Sequence, residues 1–415
     1  MKIEYHSFLD KINYYSGLLL VLSLPYNYLI QSIFAFCFVI SGFILTDVKQ
    51  FRQSILQNLL FLPLVLFFII HIMGLLYTNN LKEGLSDLQV KIPFLVFPIV
   101  FCCNNNTKLL KNFNTVLAAF LASNFIASLL CITRAFYRIY ITVQHDPGAT
   151  FLKVGSNFFF YTEFSFLRHP SYFSMYIIFS IIILIYFLKK NIFCETRIRK
   201  NFFYILIPFF ALIVILSASK AGILSLYIIL SLFIFIEIRK RLLLKIAFIA
   251  VIFLSFVWIF NNSRFLDIKN LIRHPELIKQ HDDTSSASTR IGIFNSSKKI
   301  IIKNFFFGVG TGNVHDELNK LYLANNMFLE KEHNLNAHDQ YLETTIEIGL
   351  IGLLCLIALL VIPFIHSIRK NNKLLFYFII ICAINFLFES MLNRQAGVMP
   401  ISFFYCLLLK ISNNI

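Results

Sequence analysis

The chain has 415 residues, of which 58% are hydrophobic and 14% are charged, and its formal net charge is +16. This composition excludes a water-soluble globular domain and predicts an all-α integral membrane protein. The excess of Lys and Arg serves as a topology signal that also favours contact with anionic membrane lipids, and we predict no nucleic-acid binding.

Apolar runs long enough to cross a bilayer core of about 30 Å recur from one end of the chain to the other. They predict about twelve transmembrane helices. The predicted spans are 14–29, 31–46, 58–77, 88–103, 113–136, 171–188, 202–218, 221–238, 246–260, 348–366, 374–390 and 397–410. The eight cysteines lie in or beside these runs without metal-ligand spacing, so they imply neither a zinc site nor a disulfide framework. We predict no cofactor and no metal.

Basic residues in the short connections set the orientation, because Lys and Arg near span ends stay in the cytoplasm. Lys49, Lys108, Lys189, Arg239 and Arg369 all fall on one side if the spans alternate, so both termini are predicted to be cytoplasmic. The two long polar segments then share the opposite side. The chain divides into N-terminal helices at 1–136, a first outer loop at 137–170, central helices at 171–260, a large outer loop with catalytic elements at 261–346, and C-terminal helices at 347–415.

Basic residues at the outer ends of the predicted spans are the first candidates for function. Arg168 and His169 in FLRHPSYFS end the first outer loop, where an arginine either snorkels to lipid headgroups or binds a substrate. Lys220 in ILSASKAGILS is the only basic residue between 202 and 238. A charge at membrane depth costs about 2.5–3.5 kcal/mol, so this lysine is expected to have a partner, a cavity or a function.

The large outer loop carries an arginine followed by a glycine cluster. Arg290 precedes a predicted amphipathic helix, and the cluster Gly308, Gly310 and Gly312 follows in FFFGVGTGN. No strand precedes the glycines, so neither a dinucleotide-binding motif nor a P-loop fits. We predict a sharp turn whose exposed backbone amides approach at most a phosphate or a sugar.

The segment NAHDQYLETTIEIGLIGLL places a histidine before a strongly apolar run. Asn336 is a suitable N-cap, so the sequence predicts a continuous helix from about residue 337 into the tenth span, with His338 on its first turn. A helix N-terminus disfavours imidazolium, whereas Asp339 and Glu343 favour it. From local context alone, His338 is either an interfacial polar residue or a proton acceptor.

Together these segments resemble a known family. The order RHPSYFS, SASKAG, an arginine ahead of FFFGVGTGN, and NAHDQYLETTIEIGLIGLL resembles the O-antigen ligase and O-antigen polymerase superfamily of bacterial envelope glycosyltransferases, over roughly residues 165–365. The resemblance implies a GT-C-like bundle in the bacterial inner membrane, with a large periplasmic loop that holds the active site. It also implies transfer of a glycan from undecaprenyl pyrophosphate to a hydroxyl, without a metal or a nucleotide sugar.

The resemblance also implies residue roles. His338 matches the catalytic histidine, Arg290 the loop arginine, and Lys220 the basic position of a serine-arginine motif. Two positions depart from the family pattern: lysine keeps the charge but loses the bidentate fork, and Asp339 stands where asparagine is usual.

The expected chemistry agrees with these residue types. Pyrophosphate is a good leaving group, so the reaction needs cations that stabilise developing negative charge, and Arg290, Lys220 and Arg168 are predicted to supply them. A positioned base contributes about 10²–10⁴-fold, and His338 is the candidate; in-line attack predicts inversion at the anomeric carbon. Asp339 and Glu343 are predicted to orient His338. The other predicted supporting residues are His169, Gly308 and Gly310.

Several functions stay open at this point. A ligase would join the lipid-linked glycan to lipid A core, whereas a polymerase would join two lipid-linked repeat units with the same donor. A protein-glycosylating oligosaccharyltransferase is disfavoured, because Trp258 is the only tryptophan and no WWDYG-like or DxD motif is present. A flippase or secondary transporter agrees with about twelve spans and with Lys220, but polar residues concentrate in one outer loop, and no paired broken helices are predicted.

Overall fold

The computed structural model describes residues 2–46, 59–103, 107–146, 151–237 and 286–413. Within these ranges the chain is helical and contains no β-strand, which confirms the predicted all-helical fold. The predicted ninth span at 246–260 and the first part of the large outer loop lie outside the described residues.

Eighteen α-helices, numbered here along the described residues, make up the structure. The first nine are α1 Lys2–Ser23, α2 Tyr28–Ile44, α3 Leu62–Gly74, α4 Leu81–Lys91, α5 Pro93–Cys103, α6 Lys108–Lys111, α7 Phe113–His145, α8 Phe151–Phe158 and α9 Tyr161–Phe164. The others are α10 Pro170–Lys190, α11 Arg197–Leu216, α12 Lys220–Glu237, α13 Ser286–Lys303, α14 Val314–Ala324, α15 Phe328–Glu332, α16 Gln340–Arg369, α17 Lys373–Phe386 and α18 Gln395–Asn413.

Not every predicted span is found as a membrane-length helix. Among the described residues, seven helical stretches are long and apolar enough to cross a membrane: Leu59–Tyr77, Leu81–Cys103, Phe113–His145, Pro170–Lys190, Arg197–Leu216, Gln340–Arg369 and Gln395–Ser412. Three shorter apolar helices coincide with further predicted spans: Tyr28–Ile44, Lys220–Ile236 and Lys373–Phe386. The predicted span 14–29 falls on the second half of α1 and the turn that follows it. The predicted total of about twelve is therefore not confirmed.

The helices α10 and α18 lie at the centre of the bundle, where most of their side chains are buried. Aromatic rings join them to α7: the ring centroids of Phe404 and Phe120 are 4.8 Å apart, and those of Phe404 and Phe179 are 5.1 Å apart. The hydroxyl of Tyr176 donates to the carbonyl of Ala396. Because close packing fixes both helices, the residues just before them are fixed as well.

The 30-residue apolar helix α16 is broken at Gly349. This glycine has φ 70° and ψ −156°, a conformation that is open to glycine and closed to other residues. The break leaves the carbonyls of Ile346 and Glu347 without helical partners, and they accept hydrogen bonds from the amides of Val309 and Gly310 at 2.8 and 2.9 Å. The sequence prediction of a continuous helix is wrong at this point, because a second segment supplies the missing hydrogen bonds.

The glycine cluster of the outer loop fits into this break. Gly308 has φ +70°, and a Cβ on it would lie 2.5 Å from the backbone carbonyl of Glu347. The amide of Gly308 donates to the carbonyl of Asn304 at 2.8 Å, and that of Gly310 donates to Glu347. Contrary to the prediction, these two amides are engaged within the protein rather than presented to a phosphate.

Four ionisable side chains meet inside the bundle beside the break. The Nε2 atom of His71 lies 3.3 Å from Oε2 of Glu347, and Nζ of Lys91 lies 3.8 Å from the same oxygen. Lys91 also pairs with Asp87, and Nδ1 of His71 lies 2.6 Å from the carbonyl oxygen of Phe67. Charged groups at membrane depth persist where they pair, so this cluster ties α3 and α4 to α16.

Candidate active site at one end of the helix bundle

His338 lies in the loop that leads into α16. Asp339 is the N-cap, since its side chain accepts from the amide of Leu342 at 2.9 Å, and α16 begins at Gln340. The side chain of Asn336 instead accepts from the amide of His338 at 3.1 Å, and His338 has φ +49°. The prediction of Asn336 as the N-cap and of His338 on the first turn is therefore wrong. A positive φ at a residue other than glycine is uncommon, and such strain clusters at active sites.

A carboxylate from a distant part of the chain holds the His338 ring. Nδ1 of His338 lies 3.3 Å from Oε1 of Glu389, which follows α17 and is 7% exposed. A carboxylate can only accept, so Nδ1 carries the hydrogen and Nε2 is the ring nitrogen that can accept a proton. The His338 side chain is 27% exposed, so the ring is accessible from outside the protein.

Basic side chains and a hydroxyl donor surround Glu389 on several sides. Nδ1 of His169 lies 3.9 Å from its Oε2, and the hydroxyl of Ser171 donates to the same oxygen at 3.5 Å. Burial by itself would raise the pKa of Glu389, but the hydrogen bond from His338 and the charges of His338, His169 and Arg290 together hold it below its ordinary value. Glu389 is therefore ionised at neutral pH.

The two acids predicted to orient His338 have other partners. Asp339 caps α16, and burial raises the pKa of its carboxyl, opposed by the backbone amides that it accepts from. Glu343 accepts from the amide of Ala337 at 2.8 Å and from the side chain of Asn393 at 2.7 Å. Both acids hold the backbone on either side of His338, whereas the carboxyl that contacts its ring is Glu389.

Two of the predicted cations lie at the same end of the bundle as this pair. Nη2 of Arg290, on α13, donates to the carbonyl of Phe388 at 3.3 Å, so its guanidinium is beside Glu389. Lys220 is the first residue of α12, which packs on α10 so closely that a Cβ on Gly222 would lie 2.4 Å from the side chain of Ser174. This contact places Lys220 near the N-terminal end of α10, which follows directly after His169.

Arg168 has a different setting from the one predicted. It is 4% exposed, its Nε donates to the carbonyl of Leu24 at 3.1 Å, and its Nη2 donates to the side chain of Gln31 at 3.1 Å. The guanidinium also lies 3.7 Å from the ring centroid of Tyr28. These contacts anchor the start of α10 to the turn between α1 and α2.

A cavity of about 700 Å³ opens beside His338 and Glu389. Its lining is rich in carboxamide and imidazole side chains, and Arg394 is its only Lys or Arg among the described residues. The lining residues are Tyr28, Asn80, Glu83, His169, Tyr172, His315, Asp316, Asn319, His333, Asn334, Leu335, Asn336, His338, Glu389, Asn393 and Arg394. Burial lowers the pKa of His169, Glu389 opposes this, and the charge of Arg394 adds to the lowering.

Sequence reasoning missed Glu389 and Arg394. Glu389 was counted inside the apolar span 374–390, and Arg394 lies in the short turn that follows it. The available signal was an acid at the end of an apolar run, because an acid there needs a partner.

An apolar groove of about 390 Å³ runs between α16 and α17. It reaches the candidate site, since Leu387 is two residues from Glu389, and Tyr341 is three residues from His338. No charged side chain lines it. The lining residues are Tyr341, Ile357, Leu360, Val361, Phe364, Ile379, Ile380, Ala383, Ile384 and Leu387.

One comparison with known proteins gives a match. Residues 203–357 match the family model of the O-antigen ligases, which confirms the resemblance to this superfamily. The matched range contains Lys220, Arg290 and His338 and ends before Glu389. No curated protein matches the chain. The family consists of glycosyltransferase-like ligases and polymerases of O-antigen, and together with the apolar helices it indicates a multi-pass membrane protein.

Proposed function

We propose, from the family match, that the chain is an O-antigen ligase of the bacterial inner membrane. It transfers a glycan from undecaprenyl pyrophosphate to a sugar hydroxyl of lipid A core, with the site on the periplasmic side and both termini in the cytoplasm. The observation that carries the proposal is the hydrogen bond between His338 and Glu389 beside a polar cavity, with Arg290 next to the same carboxylate.

The acceptor hydroxyl is activated by His338. Its Nε2 takes the hydroxyl proton as the acceptor oxygen bonds to the anomeric carbon of the donor sugar, and the bond from that carbon to the diphosphate oxygen breaks. The carboxylate of Glu389 stabilises the imidazolium that forms, because it already accepts the Nδ1 hydrogen. In-line attack inverts the anomeric carbon.

The leaving diphosphate gains negative charge as this bond breaks. Arg290 and Arg394 lie around Glu389 and His169, and Lys220 lies at the same end of the bundle. Fixed cations in a partly buried site stabilise developing negative charge without reorganisation. The reaction therefore proceeds without a metal ion or cofactor.

The apolar groove between α16 and α17 holds the polyprenyl chain. It is open along the bundle surface, where Ile357 and Val361 are exposed, and it ends beside the site at Leu387. Within the membrane, van der Waals contacts with such a surface can hold a hydrocarbon chain. A donor held there has its diphosphate beside Arg290.

The test is transfer by the purified protein in liposomes that contain undecaprenyl-pyrophosphate-linked glycan and core lipid, with EDTA present. We expect glycan on lipid A core with inverted anomeric configuration, and product formation about 10²–10⁴-fold slower with the His338→Ala variant. Loss of transfer under chelation would contradict the metal-free mechanism. Movement of the donor across the bilayer without transfer would favour a flippase.

A polymerase uses the same donor and is the alternative that the family match also supports. Gene deletion distinguishes the two on lipopolysaccharide gels. A ligase deletion leaves intact core without any O-chain, whereas a polymerase deletion leaves a single repeat unit on the core.

A further inference from the structure

One part of the 700 Å³ cavity is built from carboxamides. Asn80 precedes α4, Asn319 lies on α14, Asn334 lies in the loop before α16, and Asn393 lies in the turn before α18. Together with Asp316 of α14 these residues form what is here called the carboxamide wall.

Hydrogen bonds within the carboxamide wall fix its side chains. Nδ2 of Asn80 donates to Asp316 at 2.9 Å, while the Asn80 oxygen accepts from the amide of Glu83 at 3.2 Å. Nδ2 of Asn319 donates to Oδ1 of Asn334 at 2.8 Å. A side chain held in this way keeps one orientation before any ligand arrives, which lowers the entropic cost of binding.

Two oxygens of the carboxamide wall lack a donor. Nδ2 of Asn393 donates to the carboxyl of Glu343, and its buried Oδ1 has no hydrogen-bond partner among the described residues. Nδ2 of Asn319 donates to Asn334, and its buried Oδ1 likewise has no partner in the part of the chain that the structure describes. A buried acceptor without a donor costs free energy, which a ligand hydroxyl or amino group recovers.

The charge beside Asn80 and Asn319 is negative. Asp316 and Glu83 line this part of the cavity, and the one lining arginine, Arg394, acts on His169. A sugar that carries a carboxylate would meet like charge here, whereas an uncharged or amino sugar would not.

We propose that the carboxamide wall is a sugar subsite that takes an uncharged or amino sugar and rejects an acidic one. The inference rests on the proposed function, because it names the class of sugar that the transferase accepts beside His338. The sugar belongs either to the donor glycan or to the acceptor core, which offer the same hydroxyl chemistry.

The test uses Asp316→Asn in the full-length protein. The new side chain still offers an oxygen to Asn80 but has no charge. We expect wild-type kcat/KM to be higher for a glycan with a neutral hexose than for one with a uronic acid, and the variant to raise the ratio of kcat/KM for the acidic glycan to that for the neutral one about tenfold. Glu317→Gln is the matched control, since Glu317 pairs with Lys320 and does not line the cavity.

Two arms identify the source of the sugar. One arm varies the donor sugar with a fixed acceptor, and the other varies the acceptor sugar with a fixed donor. The arm in which Asp316→Asn changes the preference names the occupant, and an unchanged preference in both arms overturns the proposal. If Asp316→Asn does not fold, Glu83→Gln replaces it, because Glu83 is exposed and lines the same part of the cavity.

A binding measurement separates this inference from the proposed function. Saturation-transfer NMR with free neutral and uronic oligosaccharides reports occupancy without transfer. If the wild-type protein binds the neutral sugar preferentially and Asp316→Asn loses this preference, the result supports the carboxamide wall as a sugar subsite, even if no transfer is found. Equal binding of both sugars overturns the inference even if transfer proceeds.

Discussion

Two histidine–glutamate pairs with the same separation lie in different parts of the molecule. His71 and Glu347 join α3 to α16 in the bundle, and His338 and Glu389 meet beside the cavity; in each pair the nitrogen and the oxygen are 3.3 Å apart. The side chain of His71 is fully buried, whereas that of His338 is 27% exposed.

The difference lies in what the second ring nitrogen contacts. Nδ1 of His71 lies against the carbonyl of Phe67, and Nε2 lies against Glu347, so both nitrogens face acceptors. Both nitrogens of His71 are enclosed in the bundle, so neither is accessible to a substrate. In His338 only Nδ1 faces a carboxylate. One histidine–glutamate pair thus ties helices together, whereas the other has the geometry of the proposed base.

The sharpest test of this comparison is His338→Ala. We expect kcat to fall about 10²–10⁴-fold, because the variant lacks the base, while the protein stays folded. Glycan transfer in liposomes and the thermal unfolding midpoint measure the two effects. A folded variant with wild-type transfer would refute the assignment of His338 as the base.

Glu347→Ala tests the structural pair. We expect the free energy of unfolding to fall by about 3–5 kcal/mol, because the change leaves His71 buried without its carboxylate and removes one of the two carboxylates beside the buried Lys91. Unfolding in detergent measures the loss, and Glu332→Ala, at an exposed acid of α15, is the control. Equal stability of the two variants would mean that the buried cluster does not tie the helices together.

Glu389→Gln tests whether the carboxylate positions the base. We expect kcat to fall about 10–100-fold with KM little changed, since the amide can hold the ring but cannot stabilise imidazolium. Glu389→Asp should recover part of the loss. An effect on KM alone would place Glu389 in substrate binding instead.

Lowering the pH is expected to have the smallest effect of these tests. The pKa of Glu389 is held below its ordinary value of about 4.5 by its cationic neighbours, so its stabilising contribution is complete above that pH and is lost as the pH falls through the lower folded value. Wild type should therefore lose slightly more stability than Glu389→Gln between about pH 4.5 and the acid limit of folding. Parallel curves for the two proteins would contradict this.

Hydropathy predicted most helices because apolar length is a local property. The motifs likewise predicted that His338 and Arg290 lie in one site, although the partner of His338 could not be read from its neighbours. Glu389 comes from a turn 51 residues further along the chain, and only packing brings it to the ring. The partners of Arg168 are likewise distant in the chain: Leu24 lies in the turn after α1, and Gln31 lies on α2.

The break in α16 could not be predicted from the sequence of the helix, because the segment that stabilises it lies elsewhere in the chain. Gly349 fits the pattern of small residues on a close-packed helix face, and a glycine there gives no sign of a left-handed conformation. Only the loop that carries Gly308 makes this conformation favourable.

Backbone hydrogen bonds hold the segment from Phe305 to Gly310 against α16. It contributes three backbone hydrogen bonds to α16, to Ile346 and Glu347 and from Leu350. Moving this segment away would leave those backbone groups without hydrogen-bond partners in a region with little water. The cost in free energy is several kcal/mol for each group. We therefore expect this segment to stay in place, so that the proposed lipid-linked donor reaches the site laterally, between the helices.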